Sequence, residues 1–172
     1  MSIIINVINK KRTDTKMKKS VVKNTLAFQF NPNHKGAPYT IDGVNYMNGG
    51  QLKQILRVHS LFGRIEKPDK VPYNQGSDIP ELHESVKSSK ATLVNMYLGD
   101  SLEEILANYV ATTASVNHSY VFLIDDEIIT YIMNIDEFVE FTRAFGAYAS
   151  DRKVIRYKAD SAKMIQWFEA RV

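Results

Sequence analysis

Cysteine is absent from all 172 residues, which excludes a disulfide framework, a thiolate metal site and a cysteine nucleophile. That absence points to a cytoplasmic location. Long apolar runs are missing as well. The stretch from Ile3 to Ile8, broken by Asn6, is far shorter than the roughly 20 residues that span a bilayer. It also lacks the preceding basic region of a signal peptide, so no membrane association is expected. The sequence contains no Walker loop, no dinucleotide fingerprint and no serine-nucleophile elbow. Its four histidines, His34, His59, His83 and His118, do not have the spacing of zinc ligands. His59, on the apolar face of a helical segment, reads as a hydrogen-bonded core residue.

Hydrophobic residues make up 44% and charged residues 24%, the balance of a folded globular chain of a size that suits one domain. The net charge of +3 is unevenly placed. Residues 1 to 24 hold seven basic side chains (Lys10, Lys11, Arg12, Lys16, Lys18, Lys19 and Lys23) against the single acid Asp14, leaving 15 basic and 18 acidic groups beyond. A basic run of this kind either contacts phosphates or is a solvated lead segment. The expected organisation is a basic, irregular N-terminal segment over residues 1–48 and one domain over 49–172. Within the first segment Asn31-Pro32-Asn33 reads as a turn and Ile41-Asp42-Gly43-Val44 as a hairpin corner.

Leu52, Ile55, Leu56, His59, Leu61 and Phe62 recur at helical spacing, and Gly63 is a natural stop. Pro68, Pro72 and Gly76 then leave room for one short strand near Val71. Ser77 to Leu82 and Glu84 to Val94 read as extended segments. Overlapping capping patterns, Asp100-x-x-Glu103 and Ser101-x-x-Glu104, open a helix with the apolar face Leu102, Ile105, Leu106, Tyr109 and Val110. A hairpin of Tyr120 to Ile124 and Ile128 to Met133 follows, turned by Asp125-Asp126-Glu127. A helix from Ile135 to Tyr148, a strand from Val154 to Tyr157 and a helix from Asp160 to Arg171 complete the chain. This order predicts an α/β or α+β domain whose mixed central sheet is flanked by helices.

The segment from Gly76 to Leu93 is the best candidate for chemistry. Phosphodiester hydrolysis requires a divalent cation, carboxylates to hold it and a group that orients water. A carboxylate and a lysine on neighbouring strands suit that task, and Asp78 and Lys87 fall in consecutive extended segments. Strand alternation puts Ser85 and Lys87 on one face and Glu84 and Val86 on the other. Asp78, after Gly-Ser and before Ile-Pro, is alternatively a turn residue, and Lys87 a solvated strand lysine.

These residues resemble the PD-(D/E)xK, or restriction-endonuclease-like, nucleases, whose core runs helix, three strands, helix, strand. The resemblance implies that Asp78 is the first metal-binding acid and that Ser85-Val86-Lys87 stands for the acid-x-Lys motif, with serine in place of the second acid. Two substitutes are conceivable. Glu84 turns in through a bulge, or the following helix donates Asp100 or Glu103, as in restriction enzymes that read Ser-x-Lys. Asp100 and Glu103 are otherwise helix N-terminal acids that satisfy free N–H groups. The preceding helix offers Gln51 and Gln54 where many relatives carry glutamate, with Glu66 beyond its end; Gln51 either positions water or metal or faces solvent.

Ser88, Ser89 and Lys90 are phosphate contacts or strand-surface residues. Arg156 and Lys158, with Arg152, Lys153 and Lys163 nearby, are a second phosphate-tracking surface or a solvated strand edge. Trp167 and Phe168 belong to the core or to a dimer interface. The resemblance thus implies an endonuclease that uses Mg2+ or Mn2+ on DNA, with RNA as the alternative substrate. It also implies a homodimer, since cutting both strands needs two sites. The competing expectations are a catalytically inactive DNA-binding protein of the same fold and an unrelated protein-interaction module.

Overall fold

A computed structural model describes residues 17–36, 38–41, 45–47, 49–63, 84–88, 93–94, 99–113, 116–157 and 160–172. Among them the chain is mixed α+β, with four helices and ten strands in three sheets. The central sheet has the order β1-β8-β7-β5, built from β1 (Lys18–Lys23), β5 (Glu84–Ser88), β7 (Asn117–Ile124) and β8 (Glu127–Met133). β5 and β7 are parallel, whereas β7–β8 and β1–β8 are antiparallel. β2 (Phe28–Phe30), β3 (Tyr39–Ile41) and β4 (Asn45–Met47) form a small antiparallel sheet. β6 (Leu93–Val94), β9 (Gly146–Ala149) and β10 (Val154–Tyr157) form another.

The helices are α1 (Gly49–Phe62), α2 (Leu102–Thr113), α3 (Ile135–Phe145) and α4 (Ser161–Glu169). Three of them start at residues whose side chains satisfy the free N–H groups of the first turn. Ser101 Oγ accepts from Glu104 N–H at 3.1 Å. Asn134 and Glu137 form a reciprocal capping box at 2.8 and 3.0 Å. Asp160 accepts from Lys163 N–H at 3.1 Å.

The two faces of the central sheet carry different cores. On one face Val86, Val121 and Ile128 pack against Leu56 and Val58 of α1. The small β2–β4 sheet closes this side through Phe28, Tyr39 and Ile41. The other face holds an aromatic core, in which Tyr109, Tyr120, Phe122, Tyr131, Phe138, Phe141, Tyr157 and Phe168 bring together α2, α3, α4 and β10. The Tyr131 and Phe168 rings stack at 4.5 Å and those of Phe141 and Phe168 at 5.2 Å. His59 is buried and bonded to Thr25 Oγ1 at 2.9 Å, the core role expected from its place on the helix. Phe168 is fully buried, and Trp167 is half-buried with the Arg171 guanidinium 3.7 Å from its ring.

Several boundaries differ from expectation for local reasons. The third helix ends at Phe145 instead of continuing to Tyr148. Gly146 turns extended (φ −90°, ψ 148°), and a Cβ there would lie 2.6 Å from Thr142 O and 2.8 Å from Ile155 Cγ2. Only glycine admits that approach of β9 to β10. In the β7–β8 hairpin Glu127 is the first residue of β8. The turn consists of Asp125 and Asp126, both with positive φ (49° and 61°), as a two-residue hairpin loop requires. The supposedly irregular N-terminal segment contributes β1, an edge of the central sheet, as well as β2 to β4. The expected extended segment from Glu84 to Val94 is divided between two sheets, β5 in one and β6 in another. The expected strands near Val71 and over 77–82 lie outside the described residues.

On the α1 face, Arg57 meets Glu84 in a two-pronged ion pair with Nε–Oε1 at 2.6 Å and Nη2–Oε2 at 3.1 Å, both side chains being 4% exposed. Removing one partner of a buried pair strands a charge in a low-dielectric layer. Glu84→Ala is therefore expected to destabilise the fold by about 3–5 kcal/mol, while Arg57→Met combined with Glu84→Leu recovers most of the loss. Urea unfolding of the three variants checks this, and a cost for Glu84→Ala below about 1 kcal/mol would show that the pair is not desolvated.

Candidate functional site

Strand β5 is the site's scaffold. It pairs with β7 in unbroken register from Glu84↔Asn117 to Ser88↔Val121, so no bulge interrupts the alternation of its side chains. Glu84 and Val86 consequently face α1, and Ser85 and Lys87 face the aromatic core. All four are buried. Lys87 is 7% exposed, and its ammonium lies 5.3 Å from the centre of the Phe138 ring, where the ring's negative face attracts it.

Ser85 stands opposite His118 in the β5–β7 register. His118 is fully buried. Its ring stacks on Phe138 at 4.2 Å with only 10° between the planes, and its Nε2 is 2.7 Å from Tyr109 Oη. Burial above all, and secondarily the Lys87 charge, pushes the His118 pKa down to about 3, against a smaller opposing effect of the Val116 backbone. The imidazole is therefore neutral at neutral pH. α2 supplies Tyr109, β7 supplies His118 and α3 supplies Phe138, and together these rings line the surroundings of Lys87 on its own face of the sheet.

The other sequence candidates are distributed as follows. Glu84 is turned to the opposite face and tied to Arg57, so the expected turn toward Lys87 through a bulge does not occur. Asp100 is exposed and pairs with Lys153 at 3.0 Å. Glu103 was expected either to reach the metal or to stand as a helix N-terminal acid. It is exposed and bound by both prongs of Arg143 at 3.0 Å, a bond that lowers its pKa below the ordinary carboxylate value. The acids at the start of α2 thus join the surface of α3 and the β9–β10 turn. Arg156 is exposed and reaches Asp151 at 2.8 Å. Asp78, Ser89, Lys90 and Lys158 lie outside the described residues, as does Glu66. Only the backbones of Ser88 and Gln51 are described, in β5 and α1.

Among the described residues no three His, Asp or Glu side chains gather as a metal-holding group. Glu84, Asp100 and Glu103 do not fit a magnesium-binding set around Lys87, because one faces away and two are engaged by arginine and lysine at the surface. Sequence reasoning missed the aromatic and imidazole setting of the lysine. Its only linear trace is the alternation of His118, Tyr120 and Phe122 along β7.

His118 also makes stability depend on pH. Its folded pKa, about 3, lies below its ordinary 6.5, so the unfolded chain binds more protons. Stability is complete above about 6.5 and falls as pH drops from there toward 3. Between about pH 7 and pH 5 the parent should lose roughly 2 kcal/mol more than His118→Gln. Urea midpoints at the two pH values measure this, and equal losses would mean that the imidazole accepts its proton within the fold. No protein-family model, curated protein or solved structure matches this chain.

Proposed function

We propose that this chain is a metal-dependent DNA endonuclease of the restriction-enzyme-like kind, with Lys87 orienting the attacking water and Asp78 as its principal metal-binding acid. The observation that carries the reading is a lysine 7% exposed on the Ser-x-Lys strand, set against the Phe138 ring with a neutral histidine nearby. Moving an ammonium out of water costs several kcal/mol. Solvation alone would leave a strand lysine at the surface, so a buried one is a candidate for chemistry. The order of α1, β5, α2 and β7 is compatible with the helix, strand, helix and strand that bracket the motif. A homodimer supplies the second site needed to cut both strands.

A second reading is favoured by the ion pairs of Glu84, Asp100 and Glu103, which engage every described acid proposed for the place left by Ser85. In that reading the scaffold binds DNA without cutting it.

Plasmid and oligonucleotide cleavage with Mg2+ or Mn2+ separates the two. The nuclease reading expects cleavage that falls at least about a hundredfold in Lys87→Met, a variant of similar side-chain volume, and in Asp78→Asn. Full activity of Lys87→Met, or intact DNA and RNA under every condition, would sink it. Salt-dependent DNA binding without cleavage would establish the second reading.

A further inference from the structure

The small β2–β4 sheet ends in an aromatic step, a pair of which Tyr39 packs against the core and Phe30 does not. β2 and β3 pair in register, Phe28 with Ile41 and Phe30 with Tyr39. Phe28 and Ile41 face inward and pack with Ile55 and Leu52 of α1. Phe30 lies two residues beyond Phe28 on the same face, past the reach of this cluster. Its side chain is 58% exposed, the most exposed large apolar side chain among the described residues, and its ring rests 5.1 Å from that of Tyr39.

The stretch of chain that carries the step is basic. Between Asp14 and Asp42 the chain holds no acidic residue, and its described lysines there, Lys18, Lys19, Lys23 and Lys35, are all exposed. Lys19 is paired with Glu169. Lys35 sits in the turn between β2 and β3, a turn ordered by Asn31 Oδ1 accepting from Asn33 N–H at 3.1 Å and by Asn31 O accepting from His34 N–H at 3.2 Å. Gly36 completes it at φ 81°. Isolated exposed apolar residues are ordinary. An exposed phenylalanine resting on a half-buried tyrosine, on a hairpin whose turn carries Lys35 and in a stretch of chain free of acids, has instead the composition of a stacking platform for unpaired bases.

We propose that Phe30 and Tyr39 form a contact site for single-stranded nucleic acid, with bases stacking on Phe30 and Lys35 meeting the phosphates. The site rests on the reading of this chain as a nucleic-acid-acting protein and adds to it a strand-binding surface apart from the Lys87 face of the sheet. Stacking of a base on an aromatic ring requires that the base be unpaired, so the site favours a single strand over a duplex.

The test is fluorescence anisotropy in EDTA with a labelled oligo(dT) strand of about fifteen nucleotides. Phe30→Ala should weaken binding about tenfold and Phe30→Trp should restore it. Lys35→Ala should lower the salt dependence by about 0.7 in the slope of log affinity against log salt. Leu123→Ala, an exposed apolar change on β7 of the central sheet, should leave binding unaltered. Because Phe30 is exposed, thermal melts of its variants should match the parent. Strand binding that is indifferent to Phe30 and Lys35, equal binding to a duplex, or no strand binding at all would overturn the proposal. So would self-association abolished by Phe30→Ala without strand binding, which would place a second copy on the step. Cleavage is absent from this assay, so Phe30-dependent binding in a protein that never cuts DNA would uphold the site while removing the nuclease reading. Cleavage without Phe30-dependent binding would do the reverse.

Discussion

The alternation of side chains along β5, held without a bulge by its pairing with β7, is the constraint on which the rest of this molecule turns. It places a buried acid and a buried base on opposite faces of one strand. Glu84 is held by Arg57 from α1, and Lys87 by the ring face of Phe138 from α3. Each contact ties the strand to a different layer of the fold. A slip of one residue would move Glu84 into the aromatic core and Lys87 under α1, losing both partners at once. Two costly burials therefore reinforce one register, a role in specificity more than in raw stability.

The same constraint shapes the chemistry available near Lys87. With Glu84 committed to the other face, the lysine's own side includes, among the described residues, the neutral groups Ser85, His118, Tyr109 and Phe138. The acids at the start of α2 are drawn outward by Arg143 and Lys153, which bind α2 to α3 and to the β9–β10 turn along the protein's surface. These exposed pairs are individually weak. Their geometry nevertheless directs Asp100 and Glu103 toward partners on the surface.

Much of the architecture was legible from residue patterns. Helical spacing located α1, capping residues located the start of α2, and the acidic run Asp125-Asp126-Glu127 located the β7–β8 hairpin. These signals are local, arising from backbone periodicity and from N–H groups satisfied within one turn. The alternation that separates Ser85 and Lys87 from Glu84 and Val86 is equally local, and it holds in the fold. What pattern reading missed depends on distant partners. The third helix stops at Phe145 because Ile155 approaches Gly146, and β1 is a strand because β8 offers it an edge.

For the candidate site the division is the same. Sequence alone determined that Lys87 and Ser85 share a face and that Glu84 does not, because a strand's period of two needs no knowledge of its neighbours. Only the tertiary structure decided which layer each face meets: α1 and its arginine for Glu84, the rings of α2, β7 and α3 for Lys87, and surface arginine and lysine for the acids of α2. Those partners lie 22 to 53 positions apart, and they meet through packing of apolar layers, which is non-directional and leaves no fixed spacing in the chain.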